Sequence, residues 1–271
     1  MNDLLCRKQL VIIGLGNIGR ILLQRLRAAG VRLDHLAVCE TDLSRETAAV
    51  GQFGVRIISL TDEATFAADL FLIATPPPVA PQILKALAGR LRPGQVVVSF
   101  AAAIPLARLE AIVPEGVTVA RVMPNAASLV HQGMNPVAFG VSITPEARAL
   151  VEAVLATLGD TIEVRDEQMN WCVGLTGAAM RSVLPVLEGM TRAGLEAGLP
   201  AAEARRVAAQ VMLGTAALAL RTGLSFEEIK ALTPMQTVDE MRVAQLFLEA
   251  ARDARARIDQ LQQKLVVEEK I

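Results

Sequence analysis

The chain has 271 residues, with 27 Lys and Arg against 28 Asp and Glu for a formal net charge of −1, a balance without the basic footprint of nucleic-acid or anionic-membrane binding. Hydrophobic residues make up 52 % and charged ones 20 %, which excludes disorder and predicts a sizeable core with apolar surface left for a second subunit. The apolar runs over 96–113 and 207–220 are interrupted by Pro105, Arg108 and Glu110 or by Gln210, and fall short of the roughly 20 residues of a membrane span.

In chain order, residues 10–13 (Leu-Val-Ile-Ile) predict a buried strand, and 17–29 a helix ended by Gly30. Between them stands Gly14-Leu15-Gly16-Asn17-Ile18-Gly19. In a strand–turn–helix setting this is the dinucleotide fingerprint: Gly14 for the tight turn, Gly16 for the approach of a pyrophosphate, Gly19 for close helix packing. The plain alternative is a tight turn without a ligand. Residues 35–40 predict the second strand, which ends at Glu40. An acidic residue about 20 positions past the glycines accepts from the adenosine ribose and repels a 2′-phosphate. Asp42 adds charge and Arg45 offsets it, so NADH is the expected cofactor, with NADPH as the alternative; Glu40 could otherwise be a solvated strand end.

Further strands are expected over 55–58, 70–74, 96–99, 117–122, 136–141 and 161–164, with helices at about 79–89, 105–112 and 145–157. Ala74-Thr75-Pro76-Pro77-Pro78 closes the fourth strand at the edge where open α/β sheets bind ligands, though a rigid turn reads equally well. After residue 165 only helices follow, at about 166–173, 177–197, 201–221, 225–231 and 236–267. The expected fold is therefore α/β: a Rossmann-type, doubly wound parallel sheet over 1–165, then an all-α dimerisation and substrate domain over 166–271. The helices between 177 and 220 are apolar on most faces, which predicts that they interlock with a second copy.

Cys6, Cys39 and Cys172 are too few and too far apart for a disulfide framework or a zinc site, and with His35 and His131 the only histidines, no metal is expected. The start of the chain lacks a secretory pattern, so a cytoplasmic protein without nucleic-acid or membrane partners is expected.

Together these residues resemble the pyrroline-5-carboxylate reductase family. Ser99-Phe100-Ala101-Ala102-Ala103-Ile104 looks like its S-x-A-A-G-I loop, and Arg121-Val122-Met123-Pro124-Asn125 reproduces its R-x-M-P-N motif, followed by Val130 and Gly133. Glu188, the segment from Ala193 to Pro200, and Gln210 through Leu218 resemble its helical-domain signatures. The resemblance implies hydride transfer from NAD(P)H to a cyclic imine carbon, giving proline, by a homodimer or a higher homo-oligomer. It implies cofactor contacts at Gly14, Gly16, Asn17, Ile18, Gly19, Ala74, Thr75, Pro76, Ala101 and Ala102, with Asn125 near the nicotinamide. Such chemistry asks little of protein acids, because the ring nitrogen can be protonated before hydride arrives.

The chain departs from the family at instructive places. The family's lysine in A-V-K-P-Q is Pro76, and its Asn-Arg pair after the second strand is Glu40-Thr41. The substrate-holding S-G-S-G-P-A-Y stretch becomes Thr176-Gly177-Ala178-Ala179-Met180-Arg181-Ser182, and S-P-G-G-T-T becomes Thr233-Pro234-Met235-Gln236-Thr237-Val238. Candidate catalytic residues are Arg181, as a carboxylate anchor or an exposed helix residue; His131, as a proton donor or a solvated loop residue; and Thr176, as a ligand contact or a helix cap. The alternatives are a diverged paralogue acting on another imine or keto substrate, or a dinucleotide-binding dimer that does not catalyse. A dehydrogenase using a lysine acid on the long helix is disfavoured, since no lysine lies between Lys85 and Lys230. A prephenate-dehydrogenase-like reading leans on His131 alone.

Overall fold

In a computed structural model, residues 3–268 are described; the outermost residues of the two expected domains, 1–2 and 269–271, lie outside the described residues. Eight strands form one sheet: β1 (Leu10–Ile13), β2 (Leu36–Cys39), β3 (Arg56–Ile57), β4 (Leu70–Ile73), β5 (Val96–Ser99), β6 (Thr118–Val122), β7 (Gly133–Phe139) and β8 (Gly159–Glu163). Their order is β3-β2-β1-β4-β5-β6-β7-β8. Neighbours run parallel except β6 and β7, which are antiparallel.

The strands carry uninterrupted apolar runs because both faces are covered. Leu10 and Ile12 enter one core with Leu22, Leu23 and Leu26 of the Asn17–Ala28 helix, whereas Val11 and Ile13 enter the other with Leu84 and Leu87 of the Ala80–Ala88 helix. β1 lies between β2 and β4, so the chain runs outward through β2 and β3 on one side and then crosses to β4 on the other. The crevice at the carboxyl end of β1 is where doubly wound sheets hold ligands.

The expected elements are present with shifted ends, and three α-helices had no counterpart among the expected ones: the single turns Asp3–Cys6 and Glu63–Phe66 and the longer Leu43–Phe53. The Leu43–Phe53 helix buries only Ala49, so its apolar periodicity is faint; its boundaries come from Asp42, which accepts from the Ser44 and Arg45 amides, and from Gly54 at φ 64°. The region expected as two helices over 166–173 and 177–197 is one run: a 3₁₀ turn at Asp166–Gln168, Met169–Cys172, a π-helical stretch Val173–Ala178, then Ala179–Glu196.

By packing, the chain divides into two units, one reaching to Gly177 and resuming at Asp253, the other Ala178–Arg252. This division differs from the expected boundary at 165, which marks the end of the strands. The reason is a buried polar network within the first unit. Arg121 on β6, 1 % exposed, bonds Asp166 Oδ1 at 2.8 Å and Asn170 Oδ1 at 3.0 Å. Asn170 donates in turn to Asp259 Oδ1 at 2.8 Å and Gln262 Oε1 at 2.9 Å on the Glu240–Glu268 helix. Asp166 Oδ2 also accepts from the Leu106 amide at 2.9 Å. Burial lowers the Arg121 pKa, against the opposing pull of Asp166.

In the second unit, Ala179–Glu196 and Ala201–Arg221 form an antiparallel pair turned at Gly198, φ 85°. A side chain at Gly194 would meet Ala204 Cβ at 2.9 Å, so the small residue sets the helix spacing. No residue of Ala179–Glu196 is buried. Leu220, Met235 and Met241 are 83 %, 83 % and 86 % exposed, an apolar surface of the kind that marks an interaction site. Among the described residues no helix is long and apolar enough to cross a membrane.

Candidate functional site

The glycine loop sits at the carboxyl end of β1 and is tied to its neighbours by backbone. Gly14 N donates to Cys39 O at 2.8 Å, and Ala74 N to Ile13 O at 2.8 Å. Gly14 has φ 94°, and its virtual Cβ would lie 3.0 Å from Ala74 O, so the turn needs glycine twice over. A Cβ on Gly19 would collide with Gly14 O; glycine there lets the Asn17–Ala28 helix press onto the turn. Gly16 is different. It has φ −64°, and a Cβ would meet nothing within 4 Å, so the protein's own packing does not demand a glycine there. The open space faces a helix N-terminus without a side-chain cap or an acidic residue in its first turn, which suits a pyrophosphate. The amides of Asn17 and Ile18 belong to that same turn.

Glu40, just past β2, reaches back to this loop. Its Oε2 accepts from Leu15 N at 2.6 Å, and its Oε1 from Thr41 N at 2.8 Å and Asp42 N at 3.0 Å. The side chain is 7 % exposed, with Arg45 Nη1 3.8 Å from Oε2. Burial pushes the Glu40 pKa up, but the three amides and Arg45 outweigh it and the net shift is downward, so the group is a carboxylate at neutral pH. Arg45 is shared with Asp42, at 3.6 Å, and is thus already matched by two negative charges.

Beside Glu40 lies a cavity of about 340 Å³, walled by Gly14, Ile58, Leu60, Thr75, Val79 and Ile83 among others. One polar edge and apolar walls suit an adenosine moiety. The sequence reading did not single out Leu60, Val79 and Ile83; their place after the third and fourth strands was the available signal. Cys39 shares the wall, its thiol pushed up to about 11 by burial. The Thr75 hydroxyl is buried at this wall without a hydrogen-bond partner, and Pro76 O caps the next helix by accepting from Val79 N and Ala80 N at 2.9 and 3.2 Å. Past β5, Ala101 is 1 % exposed, so it and the half-buried Ala102 offer a ligand mainly backbone. Ala103, where the family pattern has glycine, takes φ 63°, a strained conformation for alanine.

Asn125 stands just past the end of β6, 8 % exposed. Its Oδ1 accepts from Ala127 N at 3.2 Å and its Nδ2 donates to Thr176 O at 3.2 Å. Thr176 lies in the π-helical stretch, and its hydroxyl donates to Cys172 O at 2.8 Å, which leaves that oxygen as an acceptor. Single-turn π stretches recur at functional sites. The structure thus gathers the glycine loop, Glu40, Ala74–Pro76 and Ala101–Ala102 at the carboxyl edge of β1, β2, β4 and β5, and ties Asn125 to Thr176. His131 is not turned toward this edge by its contacts: it caps the 3₁₀ turn Ala126–Val130 at φ 61°, exposed, with Nε2 2.9 Å from Ala156 O. Arg181 belongs to the helical unit and is exposed there.

Residues 9–103 match the family model described as NADP oxidoreductase coenzyme F420-dependent, and residues 166–261 match that described as pyrroline-5-carboxylate reductase dimerisation. The chain is similar to the pyrroline-5-carboxylate reductase of Escherichia coli, 30 % identical over 217 residues that span 80 % of this chain and 81 % of that one. The corresponding protein of Corynebacterium melassecola is 29 % identical over 225 residues, 82 % and 83 % of the two chains. In fold it resembles the Plasmodium falciparum pyrroline carboxylate reductase crystallised with NADP bound, with a TM-score of 0.81 at 16 % identity over 95 % of this chain and 99 % of that one. The Coxiella burnetii pyrroline-5-carboxylate reductase gives 0.78 at 22 % identity, over 94 % and 98 %.

Proposed function

The chain belongs to the pyrroline-5-carboxylate reductase family, and from that premise we propose that it is an NADH-preferring cytoplasmic enzyme that reduces 1-pyrroline-5-carboxylate to proline. The observation that carries the cofactor half of this reading is the Glu40 carboxylate, held ionised beside the glycine loop and the cavity. A 2′-phosphate would meet the charges of Glu40 and Asp42, with Arg45 already engaged by both. Three free cysteines suit a reducing compartment.

The bound nicotinamide supplies the hydride. The chain supplies position: the amides at the start of the Asn17–Ala28 helix for the pyrophosphate, Glu40 for the ribose, the backbone of Ala74 to Pro76 and of Ala101 and Ala102 for the rest, and Asn125 for the nicotinamide end. The imine nitrogen carries its proton before reduction, so the residues need only orient and desolvate the reactants. Thr176, with its own proton on Cys172 O, serves as an acceptor for the ring N–H. Arg181 grips the substrate carboxylate. The exposed apolar faces of Ala178–Arg252 pair with a second copy, in keeping with the dimerisation family that the helical region matches.

A second reading keeps scaffold and cofactor but changes the substrate to another imine or keto compound, or dispenses with catalysis. It is favoured by Met235 and Gln236 standing where the family pattern has glycines. Initial rates with pyrroline-5-carboxylate separate the two. The proposal expects turnover with kcat/KM for NADH about tenfold or more above that for NADPH, and Arg181→Ala raising KM for the imine about tenfold while KM for NADH is unmoved. Equal or greater efficiency with NADPH overturns the preference. An unchanged imine KM removes Arg181 from the pocket.

A further inference from the structure

We propose that Glu40 is the clamp that holds the glycine loop in its binding shape, so that both nicotinamide cofactors depend on it, beyond any discrimination between them. This rests on the reading of the loop as a dinucleotide site. Both oxygens of the carboxylate are engaged by the chain itself: Oε1 takes the amides of Thr41 and Asp42, and Oε2 takes that of Leu15 at 2.6 Å. Two amides fill the lone pairs of Oε1, while Oε2 keeps one lone pair for a ribose hydroxyl. Leu15 is itself anchored, its side chain 1 % exposed, and Gly14 N is tied to Cys39 O. The first turn of the loop is therefore stitched to the end of β2 at two successive amides, one through the backbone of Cys39 and one through the side chain of Glu40. Gly16, the next residue, has open space in place of side-chain packing, its carbonyl accepting from Arg20 N at 3.1 Å, so the clamp on Leu15 adjoins the site where phosphate would lie.

A neutral isostere cannot do this. Glutamine has one acceptor oxygen and one amino group. If the oxygen faces Leu15, the amino group is turned to the N–H groups of Thr41 and Asp42, donor against donor; reversed, it opposes Leu15. A purely discriminating Glu40 predicts that Glu40→Gln weakens NADH and strengthens NADPH by removing repulsion. The clamp predicts that NADH, NADPH and ADP-ribose all bind about tenfold more weakly, since each needs the same loop. Dissociation constants measured by calorimetry with these three probes decide between them: tighter NADPH binding to the variant than to the wild type overturns the proposal. Hydrogen exchange on the ligand-free wild type gives a reading that does not depend on the variant folding. The Leu15 amide is expected to be protected, and exchange at the rate of an unprotected loop amide overturns the clamp. A wild type that favours NADPH would refute the cofactor preference but leave both clamp readouts standing. A wild type that binds none of the three probes would refute the dinucleotide reading, with Leu15 protection still deciding the clamp.

Discussion

Gly16→Val is expected to raise the dissociation constant for NADH about a hundredfold or more, while the melting temperature stays within about 2 °C of the wild type. Both halves follow from one geometric fact. Gly16 has an extended backbone with a negative φ of −64°, and a Cβ there meets nothing within 4 Å, so the fold carries no steric cost for a side chain. The space that valine fills is the space a pyrophosphate needs to reach the amides at the start of the Asn17–Ala28 helix. Losing two charge-assisted hydrogen bonds accounts for a factor of that size. Gly19 makes the contrast, because a Cβ there collides with Gly14 O and would damage fold and binding together. Calorimetric titration with NADH beside a thermal melt checks the pair. Retained affinity would remove the glycine loop from the cofactor site, and a collapse in melting temperature would mean that Gly16 is a packing glycine.

Arg121→Met is expected to lower unfolding stability by about 3 kcal/mol, the lower end of the cost of breaking a buried ion pair. The lower end applies because Asp166 is 22 % exposed at its side chain and can recover some hydration. Asn170 Oδ1 then loses the Arg121 Nη2 donor it has in the wild type, and the contacts to Asp259 and Gln262 lose their fixed partner. The effect should therefore be local as well as global: amides of the last helix beyond Asp253 exchange faster in the variant. Denaturant unfolding measures the first and hydrogen exchange the second. A loss under about 1 kcal/mol would show that the network is replaceable by apolar packing, as some buried pairs are.

The strands of the first unit were readable because each central one is a short run of apolar residues with both faces covered, bounded by glycine, proline or charge. The direction of β7 was not, since residue pattern carries no sign of parallel or antiparallel pairing. The Leu43–Phe53 helix escaped because a helix burying one alanine has little periodicity to show. Spacing alone pointed to Glu40 as a cofactor residue, but its bond to Leu15 spans 25 positions and appears only once β1 and β2 are side by side. The same holds for Asn125 and Thr176, 51 positions apart, and for Arg121 with Asp166 and Asn170. His131 sits at φ 61°, where glycine is at ease and histidine is tolerated as a cap, a conformation that its place in the sequence did not reveal.

The most direct test of the account is to follow the hydride itself. The purified protein is incubated with 1-pyrroline-5-carboxylate and NADH deuterated at the transferable position of the nicotinamide, and the product is examined by mass spectrometry. The account predicts proline carrying one deuterium at C5, the former imine carbon, formed at the rate at which the cofactor is oxidised. Oxidation of the deuterated cofactor without deuterated proline, or tight NADH binding with no proline at all, would contradict it.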